Sequence, residues 1–328
     1  MHFSTPGGRL LAGSIAKEAV RAFNTYMAEL WSLRGLSWKE LARRTCRKSW
    51  DDEIFGQSAR LTFYFFFALF PVLLLLLILL GRSGGARSEL FGALLDSFNE
   101  VLPMDAAALL ANTTRQLDAK AVHGAGAIVA AVGSAWGSLN GTWAIIAGLN
   151  KAYEVEEERS WWRVLVLTFG LTISLSVLGL IALAAILYSH RAENMITGYL
   201  GAPAPLLRQL FHWVVIVILL VLCFAVVYRF GPNLRDRRWQ WSTPGAVVAV
   251  TLWVASILIL RVYQQHFSSS QRIYGGLNPV ATLLLWLYVT GAAIFIGGEV
   301  NSEIEKAAAE AGHGDVREAG ERRSGPDS

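Results

Sequence analysis

Residues 61–80 read LTFYFFFALFPVLLLLLILL, an apolar run of 20 residues that carries no charge and has one proline, Pro71, in its interior. A helix of this length extends about 30 Å, which is the thickness of the hydrocarbon core of a bilayer. Composition agrees with this match, because 54% of the chain is hydrophobic and only 16% is charged. The run therefore predicts a membrane-spanning helix in an integral membrane protein.

Five further apolar stretches of similar length follow this run, and each carries at most a charge or two near its ends. They lie near residues 124–148, 164–188, 210–230, 244–263 and 277–298. Because lipid cannot hydrogen-bond an open backbone, helices are the structures that such stretches form in a bilayer. The predicted fold is all-α, a polytopic membrane protein with six transmembrane helices. A long polar and amphipathic stretch precedes the first span, so we expect no cleavable signal peptide.

Composition and apolar periodicity divide the chain into three parts, one of which contains a long outer loop. The first part, over 1–60, is expected to form cytoplasmic amphipathic and basic helices. The second part is a six-helix transmembrane domain over 61–303, which includes the helical outer loop over 82–123. The third part is a disordered cytoplasmic tail over 304–328.

Two helices are expected before the first span. The first covers about residues 15–30, and the second begins at Ser37, which forms an S-x-x-E capping box with Glu40. These N-terminal amphipathic helices either lie along the inner headgroups as interfacial helices or pack on the cytoplasmic ends of the bundle.

Orientation follows from Lys and Arg, which are retained on the cytoplasmic side of a span. With both termini in the cytoplasm, that side holds 21 of the 29 lysines and arginines. We therefore expect a multi-pass protein with cytoplasmic N- and C-termini. The expected partners are the lipid bilayer and, at the basic N-terminal helices, anionic headgroups. Since topology accounts for the basic excess, we expect no nucleic-acid partner.

The second span carries a stripe of small residues. Gly133, Gly137 and Gly141 repeat every four residues, and Asn140 lies on the same helical face. Such a stripe lets another backbone approach closely, either within the bundle or between copies in a homo-oligomer. Alternatively, the stripe and Asn140 line a solute pathway, because polar groups that face lipid lack partners.

Pro71 is a second feature inside a span. It leaves the carbonyl of Phe67 without its helical hydrogen bond, and that carbonyl needs another partner inside a bilayer. Broken spans form substrate sites in transporters, but prolines also occur in ordinary membrane helices. Tyr64 lies two turns earlier on nearly the same face, where it either faces such a site or anchors the headgroup region.

Seven short motifs lie in or beside the spans. They are A-R-L-T-F-Y-F-F-F-A-L-F-P at 59–71, G-L-N-K-A-Y at 148–153, Y-R-F-G-P-N at 228–233, W-Q-W-S-T-P-G-A at 239–246, I-Y-G-G-L at 273–277, L-L-W-L-Y at 284–288 and G-G-E-V-N at 297–301. In order and spacing they resemble the YihY/BrkB family of bacterial inner-membrane proteins, once labelled ribonuclease BN. The resemblance implies a protein of the bacterial inner (plasma) membrane linked to envelope or virulence traits. It does not settle a substrate.

Most of the motif residues fall at the predicted cytoplasmic ends of spans, namely Asn150, Arg229, Pro232, Glu299 and Asn301. Our hypothesis is that Glu299 pairs with Arg229 or Arg60 and closes the bundle, either as a gate or as a fixed clamp. The acidic run at 154–158 is interpreted as a solvated loop.

The residues give no support for the ribonuclease label. The metallo-hydrolase pattern H-x-H-x-D-H is absent, and the six histidines are isolated from one another in the sequence. We therefore expect no enzyme activity, no cofactor and no metal. The sequence favours a transporter or export channel for a small solute or ion. The alternative is a membrane scaffold or envelope assembly factor with no transport activity.

Overall fold

The computed structural model describes residues 36–81, 103–116, 124–200, 204–234, 243–266 and 277–310. Within these ranges the chain forms eight α-helices and no strand, so the predicted all-α class is confirmed. The helices are α1 (Trp38–Asp51), α2 (Ile54–Gly81), α3 (Met104–Gln116), α4 (Ala125–Ala152), α5 (Trp161–Leu200), α6 (Ala204–Phe230), α7 (Thr243–His266) and α8 (Asn278–Glu310).

Four of these helices are long and apolar enough to cross a membrane. The qualifying segments lie in α5 to α8 and are Trp161–Ala182, Trp213–Phe230, Pro244–Gln264 and Asn278–Ala307. Helices α2 and α4 have 28 residues each, which corresponds to about 42 Å of helix. The expected helix at 15–30, the first half of the loop over 82–123 and the tail beyond residue 310 lie outside the described residues.

Helix α1 begins where the sequence predicts. The Ser37 hydroxyl accepts a hydrogen bond from the backbone N–H of Glu40 at 3.1 Å. The Glu40 carboxylate accepts hydrogen bonds from Arg43 and Arg44 on the next turn. The buried Leu41 packs α1 against Val300 and Ile304 of α8. Helix α1 is therefore docked on the helix bundle, which is one of the two arrangements expected for it.

The glycine stripe of α4 is a contact within the chain. A Cβ atom placed at Gly137 would lie 2.5 Å from the Cβ and 2.8 Å from the Cα of Ala68 in α2. Gly133 faces Pro71 in the same way, and Gly141 faces the ring of Phe65. Glycine lets the backbones of α2 and α4 approach more closely than any side chain would allow.

Helix α8 lies at the centre of the bundle, where it packs against α1, α2, α3, α4 and α7. Its Phe295 is fully buried in the main core beside Tyr228 of α6 and Leu149 of α4. Helix α5 lies at the periphery, and much of its apolar surface is exposed, as at Val166 and Ile173. Exposed apolar side chains of this kind are what a lipid-facing helix requires.

At the α3 end of the bundle, one carboxylate joins three helices. Asp105 of α3 accepts hydrogen bonds from Gln264 of α7 at 3.0 Å and from Asn278 of α8 at 2.7 Å. The Gln264 side chain also accepts from the backbone N–H of Met104 at 3.1 Å. Helix α3 lies within the segment 82–123, for which the sequence predicts helical structure, and this network fixes its first turn to the bundle.

Candidate functional site

The residues singled out in the sequence fall into two groups. Asn150, Arg229, Pro232, Glu299 and Asn301 lie at the end of the bundle that carries α1, which we call the α1 end. Tyr64, Pro71 and Asn140 instead lie along α2 and α4.

The second group is engaged in packing and in local hydrogen bonds. Pro71 contacts Gly133, and the ring of Tyr64 lies 6.1 Å from the ring of Trp136. The Asn140 amide donates to the carbonyl of Trp136 on its own helix at 2.7 Å. In this conformation the Asn140 amide is therefore partnered within α4 and does not reach another helix through this bond.

Asn150 joins two loops at the α1 end. Its side chain is 6% exposed, donates to the Glu157 carboxylate at 2.8 Å and accepts from the backbone N–H of Asn233 at 2.8 Å. Asn233 in turn donates to the carbonyl of Glu156 at 2.9 Å. These bonds tie the loop after α4 to the loop after α6, which contains the buried Pro232. At the C-terminus of α6, the Arg229 guanidinium lies 5.6 Å from the ring centre of Phe230.

Arg159 adds further hydrogen bonds at the contact between the loop after α4 and the loop after α6, which we call the loop junction. Its guanidinium donates to both carboxylate oxygens of Glu157 and, at 3.0 Å, to the carbonyl of Gly231. Burial acts to raise the pKa of the Glu157 carboxyl, but hydrogen bonds from Arg159 and Asn150 outweigh it, and the pKa lies below its ordinary value. Glu157 is exposed, as expected for a solvated loop, but the guanidinium and amide donors also hold its carboxylate in place.

Asn301 fixes the start of α7. Its fully buried carbonyl oxygen accepts from the backbone N–H of Gly245 at 2.7 Å. That N–H belongs to the first turn of a helix, where backbone donors lack helical partners. The Asn301 side chain also hydrogen-bonds Tyr153, whose pKa is raised well above its ordinary value by burial and by the nearby charges of Glu305 and Glu299. Tyr153 is therefore a neutral hydrogen-bonding group.

Two glycines let α7 cross α8 at this point. A Cβ at Gly245 would lie 2.1 Å from the carbonyl oxygen of Gly297, and a Cβ at Gly297 would lie 2.3 Å from the Tyr228 hydroxyl. Tyr228 is fully buried and donates to the carbonyl of Ile294 at 2.7 Å. The G-G-E-V-N motif thus allows backbone contact with α7 and directs Glu299 and Asn301 into the interior.

Glu299 is the unusual group of the site. It is 0% exposed, and among the residues that the structure describes neither of its carboxylate oxygens has a hydrogen-bond partner. No ion pair between Glu299 and Arg229 or Arg60 is found among the described residues, so the expected pairing is not present in this structure. The charged groups acting on Glu299 come instead from α1, from the turn after it and from α8, and they are Asp52, Lys48 and Lys306.

Salt bridges connect the neighbours of Glu299. Lys48 pairs with Asp52 at 3.4 Å and also with Glu154, and Lys306 pairs with Glu154 at 3.1 Å and with Glu303 at 3.2 Å. Together with Glu299 these residues form what we call the carboxyl–lysine cluster. Glu154, which is exposed as expected for a solvated loop, also bridges the two lysines.

Two non-glycine residues beside this cluster have left-handed backbones. Glu154 itself has φ 51°, and Glu53, next to Asp52, has φ 52° and pairs with Lys151 at 2.9 Å. Such conformations cost free energy in residues with a side chain, so they persist where the surroundings fix them. Both turns that bring carboxylates to the cluster, α1–α2 and the loop after α4, are fixed in this way.

The sequence pointed to Glu299 and Asn301 but not to Lys48, Asp52, Glu154 and Lys306. These four lie in surface-type patterns, where charged residues are usually solvated, and only the docking of α1 on α8 brings them together. Within the described ranges, no group of three or more His, Cys, Asp or Glu residues could hold a metal ion.

Fold and site together define a class, the all-helical multi-pass membrane proteins, with a buried polar junction at one end of the bundle. A sequence model of the family described as Virulence factor BrkB matches residues 45–321. The chain belongs to this family, which confirms the resemblance drawn from its motifs.

Relatives of the chain carry membrane-protein and ribonuclease-like names. The ribonuclease-like protein YfkH of Bacillus subtilis (strain 168) is 28% identical over 76% of this chain and 90% of its own length. UPF0761 membrane proteins of Xanthomonas campestris pv. campestris (strain B100) and Xanthomonas axonopodis pv. citri (strain 306) are 26% and 25% identical over 81% and 79% of this chain. The chain spans only 63% and 59% of the lengths of these two proteins. No solved structure matches it.

Proposed function

We propose that this protein is a transporter or export channel for a small solute or ion in the bacterial inner membrane. The observation that carries the proposal is the fully buried Glu299, whose carboxylate oxygens accept no hydrogen bond from the described residues. An ionisable group in a membrane helix is costly to bury, and such groups mark ion and substrate pathways. A purely structural residue at this position would gain more stability from an apolar side chain.

In this proposal six helices span the bilayer, namely α2 and α4 to α8. Helices α2 and α4 join the four spans of suitable hydropathy because they are as long and pack closely through the glycine stripe. The excess of Lys and Arg supports a cytoplasmic location for the α1 end and both termini. There, the basic residues of α1 lie within reach of anionic headgroups.

The described conformation is closed at the α1 end, where Asn150, Asn301 and the glycine crossing bind the helix ends together. Transport then requires these contacts to separate, so we assign the gate to this end, with Glu299, Asn301, Asn150, Arg229 and Pro232 as its residues. Tyr64, Pro71 and Asn140 are proposed to line the route further into the bundle after α2 moves relative to α4.

One observation favours a second function, a membrane scaffold or envelope assembly factor without transport. The glycine stripe that could have lined a pathway is filled by α2, with Ala68 against Gly137. A homo-oligomer would accordingly use other surfaces than this stripe. We propose a non-enzymatic role in either case. A metal-dependent nuclease needs clustered metal ligands, and the described residues contain no such cluster.

A flux assay on purified protein in liposomes tests the proposal. Small ions and osmolytes are screened with wild type, with Glu299→Gln and with the control Glu310→Gln, which changes an exposed carboxylate on the same helix. We expect wild-type flux for at least one solute, a loss of at least tenfold in Glu299→Gln and none in Glu310→Gln. Absence of flux above empty liposomes would contradict transport, and loss of folded Glu299→Gln protein from the membrane would favour a fixed clamp.

A further inference from the structure

The turn between α1 and α2 brings a second carboxyl group to Glu299. Asp52 lies at the C-terminal cap of α1, and its side chain is within hydrogen-bonding reach of the Glu299 carboxyl. The Oδ2 atom of Asp52 is buried and forms an ion pair with Lys48 at 3.4 Å, whereas neither oxygen of Glu299 has a hydrogen-bond partner among the described residues. The two oxygens of Glu299 therefore lie beside a second carboxyl group and receive no hydrogen bond from the described residues.

Ionised carboxylates only accept hydrogen bonds, so two of them cannot bond to each other. One proton changes this, because it turns one oxygen into a donor to the other carboxylate. The lysines do not fill that role for Glu299, since Lys48 pairs with Asp52 and Glu154 and Lys306 pairs with Glu154 and Glu303.

The charge balance of the cluster also calls for a positive charge. The titratable groups that face Glu299 come from α1 and the turn after it, from the loop after α4 and from α8 itself. They are Lys48, Asp52, Tyr153, Glu154, Glu303 and Lys306. With Tyr153 neutral, two lysines oppose four carboxylates when all are ionised. Glu154 is exposed to solvent, but Asp52 Oδ2 and the Glu299 carboxylate are buried, and like charges at short distance in a buried site are unfavourable.

We propose that Asp52 and Glu299 form a proton-binding site in which the two carboxyl groups share a single proton. A proton needs only these two oxygens, whereas hard cations such as calcium and magnesium need about six or more oxygen ligands. The described residues around the pair contain no set of three or more acidic or histidine ligands suited to a metal ion. The site is therefore suited to a proton that is held between two carboxyl oxygens.

Loss of this proton would push the α1–α2 turn away from α8. When the proton leaves to water, two negative charges face each other between the α1–α2 turn and α8. Their repulsion favours separation of the turn from α8, and the left-handed Glu53 beside Asp52 marks the position where the turn changes direction. The inference goes beyond the proposed function, because proton binding at this pair holds whether or not a solute crosses the bundle.

Infrared spectroscopy of the full-length protein in lipid nanodiscs tests the pair, because a protonated carboxyl group has a carbonyl stretch that an ionised one lacks. Spectra are recorded during a pH titration of wild type, Glu299→Gln, Asp52→Asn and Glu310→Gln. In wild type we expect a protonated-carboxyl band at pH 7 that disappears in Glu299→Gln. In Asp52→Asn the midpoint should move by at least one pH unit towards acid, because an amide can donate to the Glu299 carboxylate and removes the like charge. Glu310→Gln should leave the band unchanged.

Three results would overturn the inference. They are the absence of the band in wild type at pH 7, its persistence in Glu299→Gln, and a midpoint that sodium chloride displaces at constant ionic strength, which would identify a metal cation as the ligand. Far-ultraviolet circular dichroism of each variant confirms that it is folded, and Glu299→Gln keeps the shape and hydrogen-bonding hydrogens of a protonated carboxyl. Since no flux is measured, failure here and failure of transport are separate outcomes.

Discussion

At the residue scale, the α1 end is built from side chains whose position in the sequence says little about their surroundings. Glu154 and Glu157 lie three residues apart in one acidic run, yet one bridges two lysines and the other is held by Arg159 and Asn150. The same limit applies to Glu299, which the motif singled out, because nothing in the sequence pointed to its burial or to its neighbour Asp52. Charged partners brought together by tertiary packing leave no local signal in a sequence.

The hydrogen bonds of Glu157 at the loop junction predict that the protein loses stability in acid. A carboxyl whose pKa is lower in the folded than in the unfolded protein stabilises the fold above the unfolded value, near 4.5, and this contribution is lost as the pH falls through the folded pKa. We expect Glu157→Gln to lower the free energy of unfolding at pH 7 by about 1–2 kcal/mol. The measurement is thermal unfolding in detergent from pH 7 down to about pH 3.5.

For Glu157→Gln, the difference from wild type should shrink as the pH falls below about 4.5, because wild type then loses the same charge. A difference that stays constant over the whole pH range would show that the carboxylate charge contributes nothing to the junction.

At the element scale, the sequence predicted the helices well and their contacts only in part. The apolar runs and the Ser37 cap placed α1, α2 and α4 to α8 close to where they lie, since length and hydrophobicity are local properties. The glycine stripe predicted a close contact with another helix but not which helix, because any helix with small side chains fits such a stripe. That the partner is α2, through Ala68 and Pro71, follows only from the packed bundle.

The close contact at the stripe predicts opposite effects for a glycine-to-alanine change within the stripe and one on the exposed helix α5. At Gly137 the added methyl would meet the backbone Cα of Ala68 at 2.8 Å, whereas at Gly170 of α5 a Cβ has no atom within 4 Å. We expect Gly137→Ala to destabilise the protein by about 1–3 kcal/mol, because a backbone atom cannot move aside. Gly170→Ala should be neutral or stabilise it by up to about 1 kcal/mol, because alanine is the better helix former.

Thermal unfolding of the two glycine variants in the same detergent gives the comparison. Equal stabilities for Gly137→Ala and Gly170→Ala would rule out the close approach of α2 and α4.

At the scale of the whole molecule, the bundle has two differently built ends. Asp105 and its amide partners join three helices at the α3 end, while glycine crossings, Asn301 and the carboxyl–lysine cluster join the helices at the α1 end. Among the described residues, titratable groups are thus concentrated where α1 docks on α8. The gate was proposed at this end for that reason.

The proposed orientation predicts the labelling of a natural probe. Cys46 is exposed on α1, whereas Cys223 is half-buried in α6. A membrane-impermeant maleimide should therefore label Cys46 in inverted inner-membrane vesicles and leave it unlabelled in spheroplasts, with Cys46→Ser as the control. Labelling of Cys46 from the outer side only would reverse the topology.

The most direct test of a moving α1 end is flux measured with α1 tied to α8. Leu41 and Ile304 pack together across these helices, so Leu41→Cys with Ile304→Cys, in a Cys46→Ser and Cys223→Ser background, can be joined by a short, reducible bifunctional thiol reagent. In proteoliposomes we predict that cross-linking lowers solute flux at least tenfold and that reduction restores it. Flux that continues undiminished while the two helices are fully cross-linked would contradict a gate at the α1 end.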